Sequence, residues 1–147
     1  KENDPLDEFW PQVNSKKPLD LITPGKTQIS ESWEIESKKK DAAISIPSDN
    51  MVCVVDADRA VLLCVDVFHP GDRFAPFGLE GKSLKLGDYW TNRGLPEKAR
   101  KCWPLIKSGN EIVGIPGFQI GETYKVTDNT KRVILLSVKR RDSLNSG

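Results

Sequence analysis

Residues 70–117 read PGDRFAPFGLEGKSLKLGDYWTNRGLPEKARKCWPLIKSGNEIVGIPG, and the punctuation of this stretch decides the architecture. Pro70-Gly71 ends an apolar run, and Gly71, Pro76 and Gly78 dictate a fixed loop around the Asp72-Arg73 pair. Ser83 is placed to cap a helix through Leu84, Leu86, Tyr89 and Trp90, with Gly94 just past its end. Pro96 opens a second short helix that runs to about Trp103 and is stopped by Pro104. Leu105-Ile106-Lys107, the turn Ser108-Gly109-Asn110 and residues 111–115 then read as a hairpin, closed by Pro116-Gly117.

Strands lie on both sides of this stretch. Upstream, Trp33-Glu34-Ile35-Glu36 alternates, residues 42–46 carry Ile44 and Ile46 two apart, and residues 51–55 are a continuous apolar run. Lys38-Lys39-Lys40-Asp41 and Pro47-Ser48-Asp49-Asn50 have the chemistry of turns between them. Residues 60–68 form the longest apolar stretch and read as one mostly buried strand. Downstream, Tyr124-Lys125-Val126 and residues 132–138 supply two more strands. Residues 1–20, with three prolines and no sustained period, read as a linker or N-terminal arm, with a short helix over residues 6–10. Residues 139–147 read as a basic flexible tail, leaving 21–138 as the folded domain. The order of strands, helices, strands favours an α+β class: a β-rich, sandwich-like domain with two short helices inserted between strands.

Composition agrees with a globular chain. At 147 residues, 37% apolar, with 4 Trp, 5 Phe and 29% charged residues, one domain can bury a core without disulfides or metal. Cys53, Cys64 and Cys102 are widely and irregularly spaced, so they draw neither a disulfide framework nor a metal knuckle and point to a reducing compartment. No apolar run of about 18 residues is present and residues 1–4 are polar, so neither a membrane helix nor a signal peptide is expected. The chain opens without Met, as a fragment of a longer protein would.

The net charge of +1 conceals an asymmetry. Residues 1–60 hold 8 basic and 12 acidic side chains, whereas residues 61–147 hold 14 basic and 9 acidic. Between residues 82 and 107, Lys82, Lys85, Arg93, Lys98, Arg100, Lys101 and Lys107 face only Asp88 and Glu97. A solvated basic face and a polyanion-facing surface both fit this pattern.

Motifs for chemistry are weak. Gly81-Lys82-Ser83 matches the end of a phosphate-binding loop, but the first glycine of that loop is required where Pro76 stands. His69 is the only histidine and has no nucleophile motif beside it. Asp56 and Asp58 fit a turn at a strand end better than an acid/base pair. Asp72 and Arg73 leave two readings open: Asp72 caps its own loop while Arg73 pins a nearby carbonyl, or Arg73 contacts phosphate. Trp90 and Trp103 fit a core at helical spacing, with base stacking the alternative.

These residues resemble the C-terminal domain of bacterial and plastid tRNA(Ile)-lysidine synthetase. The resemblance rests on Pro70-Gly71-Asp72-Arg73-Phe74, Gly78, Gly81, Lys85-Leu86 with Asp88, Leu95-Pro96, Arg100, Trp103-Pro104, Glu111-Ile112-Val113 and Ile115-Pro116-Gly117. Thr23-Pro24-Gly25 and Trp33 fit its beginning, and Val126-Thr127 with Thr130 its ending, so it spans about residues 20–138. It departs where family members carry arginines on the strand before the Gly-Asp-Arg loop, here Asp66 and Phe68, and lysines near the first helix, here Leu84 and Gly87.

The resemblance implies a non-catalytic domain that grips the acceptor stem of a tRNA; from the basic cluster, Lys85, Arg93, Arg100 and Lys101, together with Arg73, are the residues expected to touch its phosphates. Its partners would be that tRNA and the N-terminal catalytic domain of the parent protein, with no membrane. ATP and lysine would belong to the catalytic domain, which converts a wobble cytidine to lysidine and carries a SGGxDS signature absent from this sequence. This chain would hold no cofactor or metal and perform no catalysis, although its parent is a ligase. It would reside in a bacterial cytoplasm or a plastid stroma. A structural or protein-interaction domain that has lost RNA contact is the competing reading, favoured by Asp66, Phe68 and the acidic first half.

Overall fold

The computed structural model describes residues 10–43, 49 and 51–141. Eleven strands are present among them: β1 (Leu19–Asp20), β2 (Gly25–Gln28), β3 (Trp33–Asp41), β4 (Val52–Asp56), β5 (Leu63–Asp66), β6 (Arg73–Phe74), β7 (Leu84–Lys85), β8 (Leu105–Ser108), β9 (Glu111–Ile115), β10 (Gln119–Ile120) and β11 (Arg132–Arg140). Helices α1 (Leu86–Arg93) and α2 (Glu97–Arg100) separate β7 from β8, and a 3-10 turn spans Glu122–Tyr124. All strand pairs are antiparallel. They form a five-stranded sheet in the order β1-β5-β8-β9-β10, a four-stranded sheet β2-β3-β11-β4 and the ribbon β6-β7.

Alternation along the strands builds three layers. Ile35, Val55, Ile134 and Leu136 from the four-stranded sheet meet Val65, Ile106 and Val113 from the five-stranded sheet in one core. Their neighbours Leu105 and Ile112 point the other way and, with Ile115 beyond the irregularity in the β8-β9 register, pack with Phe74, Leu86, Tyr89, Trp90, Ala99 and Trp103 in a second core beneath the helices. Leu105-Ile106 in β8 and Ile112-Val113 in β9 are consecutive apolar residues because both faces of these strands are covered. The expected α+β, sandwich-like class with two short inserted helices is the one observed.

The hairpin is also where the sequence places it: Ser108 pairs with Glu111, leaving Gly109 and Asn110 as a two-residue loop, with Gly109 at φ 63°. Helix α1 buries Leu86, Tyr89 and Trp90 on one face and ends at Gly94, whose φ of 74° lets its N–H cap the Thr91 and Trp90 carbonyls.

Other expectations are corrected. Ser83 does not cap α1; Leu84 and Lys85 are a strand, and the helix starts at Leu86 with no side-chain cap. Lys38 to Asp41 are not a turn but the end of β3, because β11 pairs with them from Leu135 to Arg132 and leaves their side chains in solvent. Ala42 and Ala43 form a turn, and the rest of the strand expected over 42–46, with nearly all of the turn after it, lies outside the described residues. The 60–68 run is broken at Leu62, which is 90% exposed at φ 52°, a left-handed conformation no strand can continue. Tyr124-Lys125-Val126 is no strand, since Tyr124 N–H donates to the Gly121 carbonyl in the 3-10 turn.

Described residues within the expected arm and tail make defined backbone contacts. Val13 is buried, its N–H donates to Cys102 O at 2.8 Å, and that of Asn14 to Ile29 O at 2.7 Å. At the other end β11 continues through Arg140, and Arg141 N–H donates to Ser32 O at 2.7 Å. Nearly all of the helix read over residues 6–10 lies outside the described residues.

Candidate nucleic-acid interface

The Gly-Asp-Arg loop is locked to the rest of the molecule through Asp72. Its Oδ2 accepts from His69 N–H at 2.9 Å, and its backbone carbonyl accepts from Leu86 N–H at 2.9 Å, the first residue of α1. Lys107 Nζ lies 3.4 Å from Oδ2 of both Asp72 and Asp66, and His69 Nε2 lies 3.2 Å from Asp66 Oδ2. Lys107 and Asp66 project from the helix-facing side of the five-stranded sheet and are 5% and 6% exposed. Lys107 is therefore not part of the basic surface to which its sequence position assigned it. Burial alone would raise the Asp66 carboxyl, but the Val67 N–H, the Lys107 ammonium and His69 outweigh it and hold the group below its ordinary value.

The structural reading of this loop is realised in both its parts: Asp72 caps it, and Arg73 pins Ser83. Arg73 Nε donates to Ser83 Oγ at 3.1 Å and one terminal nitrogen donates to Ser83 O at 3.2 Å. Gly81-Lys82-Ser83 thus closes onto a strand, without the helix N-terminus that a phosphate loop requires.

The five candidate cations fall into two sets, Arg73 and Lys85 beside the start of α1 and Arg93, Arg100 and Lys101 between its last turn and the end of α2. Arg73 and Lys85 are direct cross-strand partners in the β6-β7 ribbon, where both are exposed while their neighbours Phe74 and Leu84 turn toward the second core. Arg93 closes the last turn of α1, its guanidinium 3.8 Å from the Tyr89 ring centroid and donating to Gln119 Oε1 at 3.1 Å. Arg100 Nε donates to Leu95 O at 2.8 Å, two residues beyond Arg93, and Lys101 follows at the end of α2. At the rise of an α-helix the two groups are about 12 Å apart along α1, too far to share one phosphate. Among the described residues, none of the five is in an ion pair with a carboxylate.

Trp90 and Trp103 are core, not stacking platforms: Trp90 is fully buried, and Trp103 Nε1 donates to Pro116 O at 2.8 Å from within the second core. Two departures of this sequence, Asp66 and Phe68, are also explained by packing. Asp66 is the buried partner of Lys107, and Phe68 packs edge-on against Trp90 at 6.0 Å.

Sequence reasoning missed a cleft of about 520 Å³ between the 76–84 segment and α1. Phe77 and Leu79 on its rim are 50% and 43% exposed, and Gln119 organises its floor. Two apolar residues in a Gly- and Pro-rich loop were the only signal the sequence offered; Gln119 carried none. The Tyr89 hydroxyl donates to Gln119 Oε1 at 2.7 Å and, desolvated by burial, is pushed up to about 12, so it remains a donor.

Comparison with known proteins matches this arrangement to one family. The TilS substrate C-terminal domain family matches residues 63–136. The tRNA(Ile)-lysidine synthase of Clostridium acetobutylicum is 34% identical over 100 residues, covering 67% of this chain and 22% of that protein. That of Clostridium perfringens is 32% identical over 109 residues, covering 74% and 23%. The chain thus spans less than a quarter of the length of these curated relatives. A crystal structure of a TILS C-terminal domain superimposes with a TM-score of 0.63 at 22% identity, covering 91% of this chain and 98% of that one, and so shares the fold. With half of its length matched and the same layered architecture, the chain belongs to the TilS substrate C-terminal domain family.

Proposed function

We propose that this chain is the tRNA-holding domain of a tRNA(Ile)-lysidine synthase, gripping the acceptor stem with two sets of cations, one beside the start of α1 and one from its last turn to the end of α2. The observation that carries the reading is that Arg73, Lys85, Arg93, Arg100 and Lys101 have no carboxylate partner among the described residues. Unneutralised cations release counterions from a polyanion, whereas paired ones gain little from doing so. Two sets of charge on a rigid ribbon and helix suit a stem recognised by shape, since the bases of A-form RNA are poorly accessible in its narrow major groove.

Within that reading the roles divide. Lys85 and Lys101 are exposed ammonium groups for phosphate. Arg93 is held on the Tyr89 ring with donors to spare, and Arg73 and Arg100 each use Nε to pin their own loop. ATP and lysine are handled by the catalytic portion of the longer protein, which is this domain's second partner, in a bacterial cytoplasm or plastid stroma. No helix of the described residues is long and apolar enough to cross a membrane.

A second reading, a buttress without RNA contact, is favoured by those loop-pinning bonds of Arg73 and Arg100. Reversing Lys85 and Lys101 to Glu in the full-length protein separates the two. Loss of tRNA affinity by tenfold or more, on the order expected for lost phosphate contacts, at an unchanged melting temperature supports the grip. Unchanged affinity supports the buttress.

A further inference from the structure

Two clefts flank the segment that joins β6 to β7, and their charges differ. The first, beside Arg73, is also lined by Glu111 and Glu122 and is therefore mixed in charge. The second contains Arg93 and no carboxylate among its lining residues. Its outer wall is Phe77 and Leu79, and its inner wall is Asn92 and Arg93 from the last turns of α1.

The second cleft is preorganised. Gln119 Oε1 accepts from both Tyr89 OH and Arg93, which orients the amide so that Nε2 donates to Phe77 O at 3.0 Å. Phe77 N–H in turn donates to Ile120 O at 3.0 Å, and Lys125 Nζ stands 5.7 Å from the Phe77 ring centroid. The backbone of Phe77, whose half-exposed ring lines the cleft, is therefore held by the same side chain that holds the Arg93 guanidinium. An aromatic face, a cation without a carboxylate and the Asn92 amide form the kind of set that recognises an unstacked base and its phosphate.

Resting on the tRNA-holding reading, we propose that this cleft seats one unpaired nucleotide at the 3′ end of the acceptor stem, its base against Phe77 and its phosphate on Arg93. The exposed apolar rim then has a function that a paired stem alone does not give it. Stacking tolerates any base, so the site selects for an unpaired end rather than for sequence.

The test compares full-length protein binding to a tRNA(Ile) transcript with that to the same transcript trimmed to a blunt stem, at fixed salt. Wild type is expected to bind the trimmed RNA about tenfold more weakly, the scale of one base stacked on an aromatic ring. Phe77→Ala should weaken binding of the intact transcript by the same factor and abolish the difference. Phe77→Tyr should keep the difference, and Phe77→Leu, which preserves the apolar rim should Ala unsettle the loop, should lose it. Equal binding of both RNAs by wild type, or discrimination that persists in Phe77→Leu, overturns the inference. If that happens while Lys85→Glu with Lys101→Glu still weakens both RNAs alike, the tRNA-holding reading survives. If the charge reversals also have no effect, both fall.

Discussion

Lys107 and Asp72, 35 positions apart in sequence, are joined at 3.4 Å by an ammonium and a carboxylate that fasten the Gly-Asp-Arg loop to the five-stranded sheet. The same ammonium reaches Asp66 at 3.4 Å. A hairpin strand, the loop and the start of α1 are thereby one mechanical unit, and the cations on that unit inherit its rigidity.

Replacing Lys107 by Met should therefore be costly, because it leaves two shielded carboxylates facing each other. Removing one partner of a buried pair costs about 3–5 kcal/mol, and the partial exposure of Asp72 puts the expectation at about 3 kcal/mol. Urea unfolding at constant m-value measures it. A loss under about 1 kcal/mol would mean the cluster is solvated like a surface pair.

Acid should loosen the same unit. The Asp66 carboxyl titrates below its unfolded value near 3.8, so its stabilising contribution is complete above that value. It is lost as pH falls from there through the lower folded value. The stability gap between wild type and Asp66→Asn should accordingly be flat above about pH 5 and shrink below about pH 4. A gap that widens on acidification contradicts the assigned charge state.

Gly94 ends α1 in a left-handed conformation, and a methyl group added there would meet nothing within 4 Å. Gly94→Ala should cost about 1 kcal/mol from backbone strain alone, read as a fall in melting temperature. Because Arg93 is adjacent, a several-fold loss of tRNA affinity should accompany it.

How far the sequence led is visible at particular residues. The 105–115 hairpin was readable because its turn residues and the apolar pairs that flank them are local properties. The start of α1 was not: Ser83 has the chemistry of a cap, but its hydroxyl is taken by Arg73 from ten positions away. Lys107 looked like one more surface cation, since nothing in its neighbourhood announces that Asp66 and Asp72 converge on it. Tyr124 favours strands by type, but its hydroxyl donates to Glu111 at 2.7 Å and its backbone closes a turn. Of the candidate site, the five cations were legible as residue types, whereas their freedom from carboxylates and the Phe77 cleft depend on tertiary packing.

Trp103→Phe separates core from interface. It removes the donor to Pro116 O and leaves a buried carbonyl unpaired, at an expected cost of about 2 kcal/mol, while tRNA affinity measured well below the melting temperature stays within about twofold. A large affinity loss with full stability would return Trp103 to the RNA surface.

The salt dependence of tRNA binding by the full-length protein probes the grip most directly. Each phosphate contact removed should lower the slope of log affinity against log salt by about 1. Lys85→Ala with Lys101→Ala should therefore flatten it by roughly 2 relative to wild type, with no change in melting temperature. An unaltered slope in the double variant would contradict the account, because those two ammonium groups would then touch no phosphate.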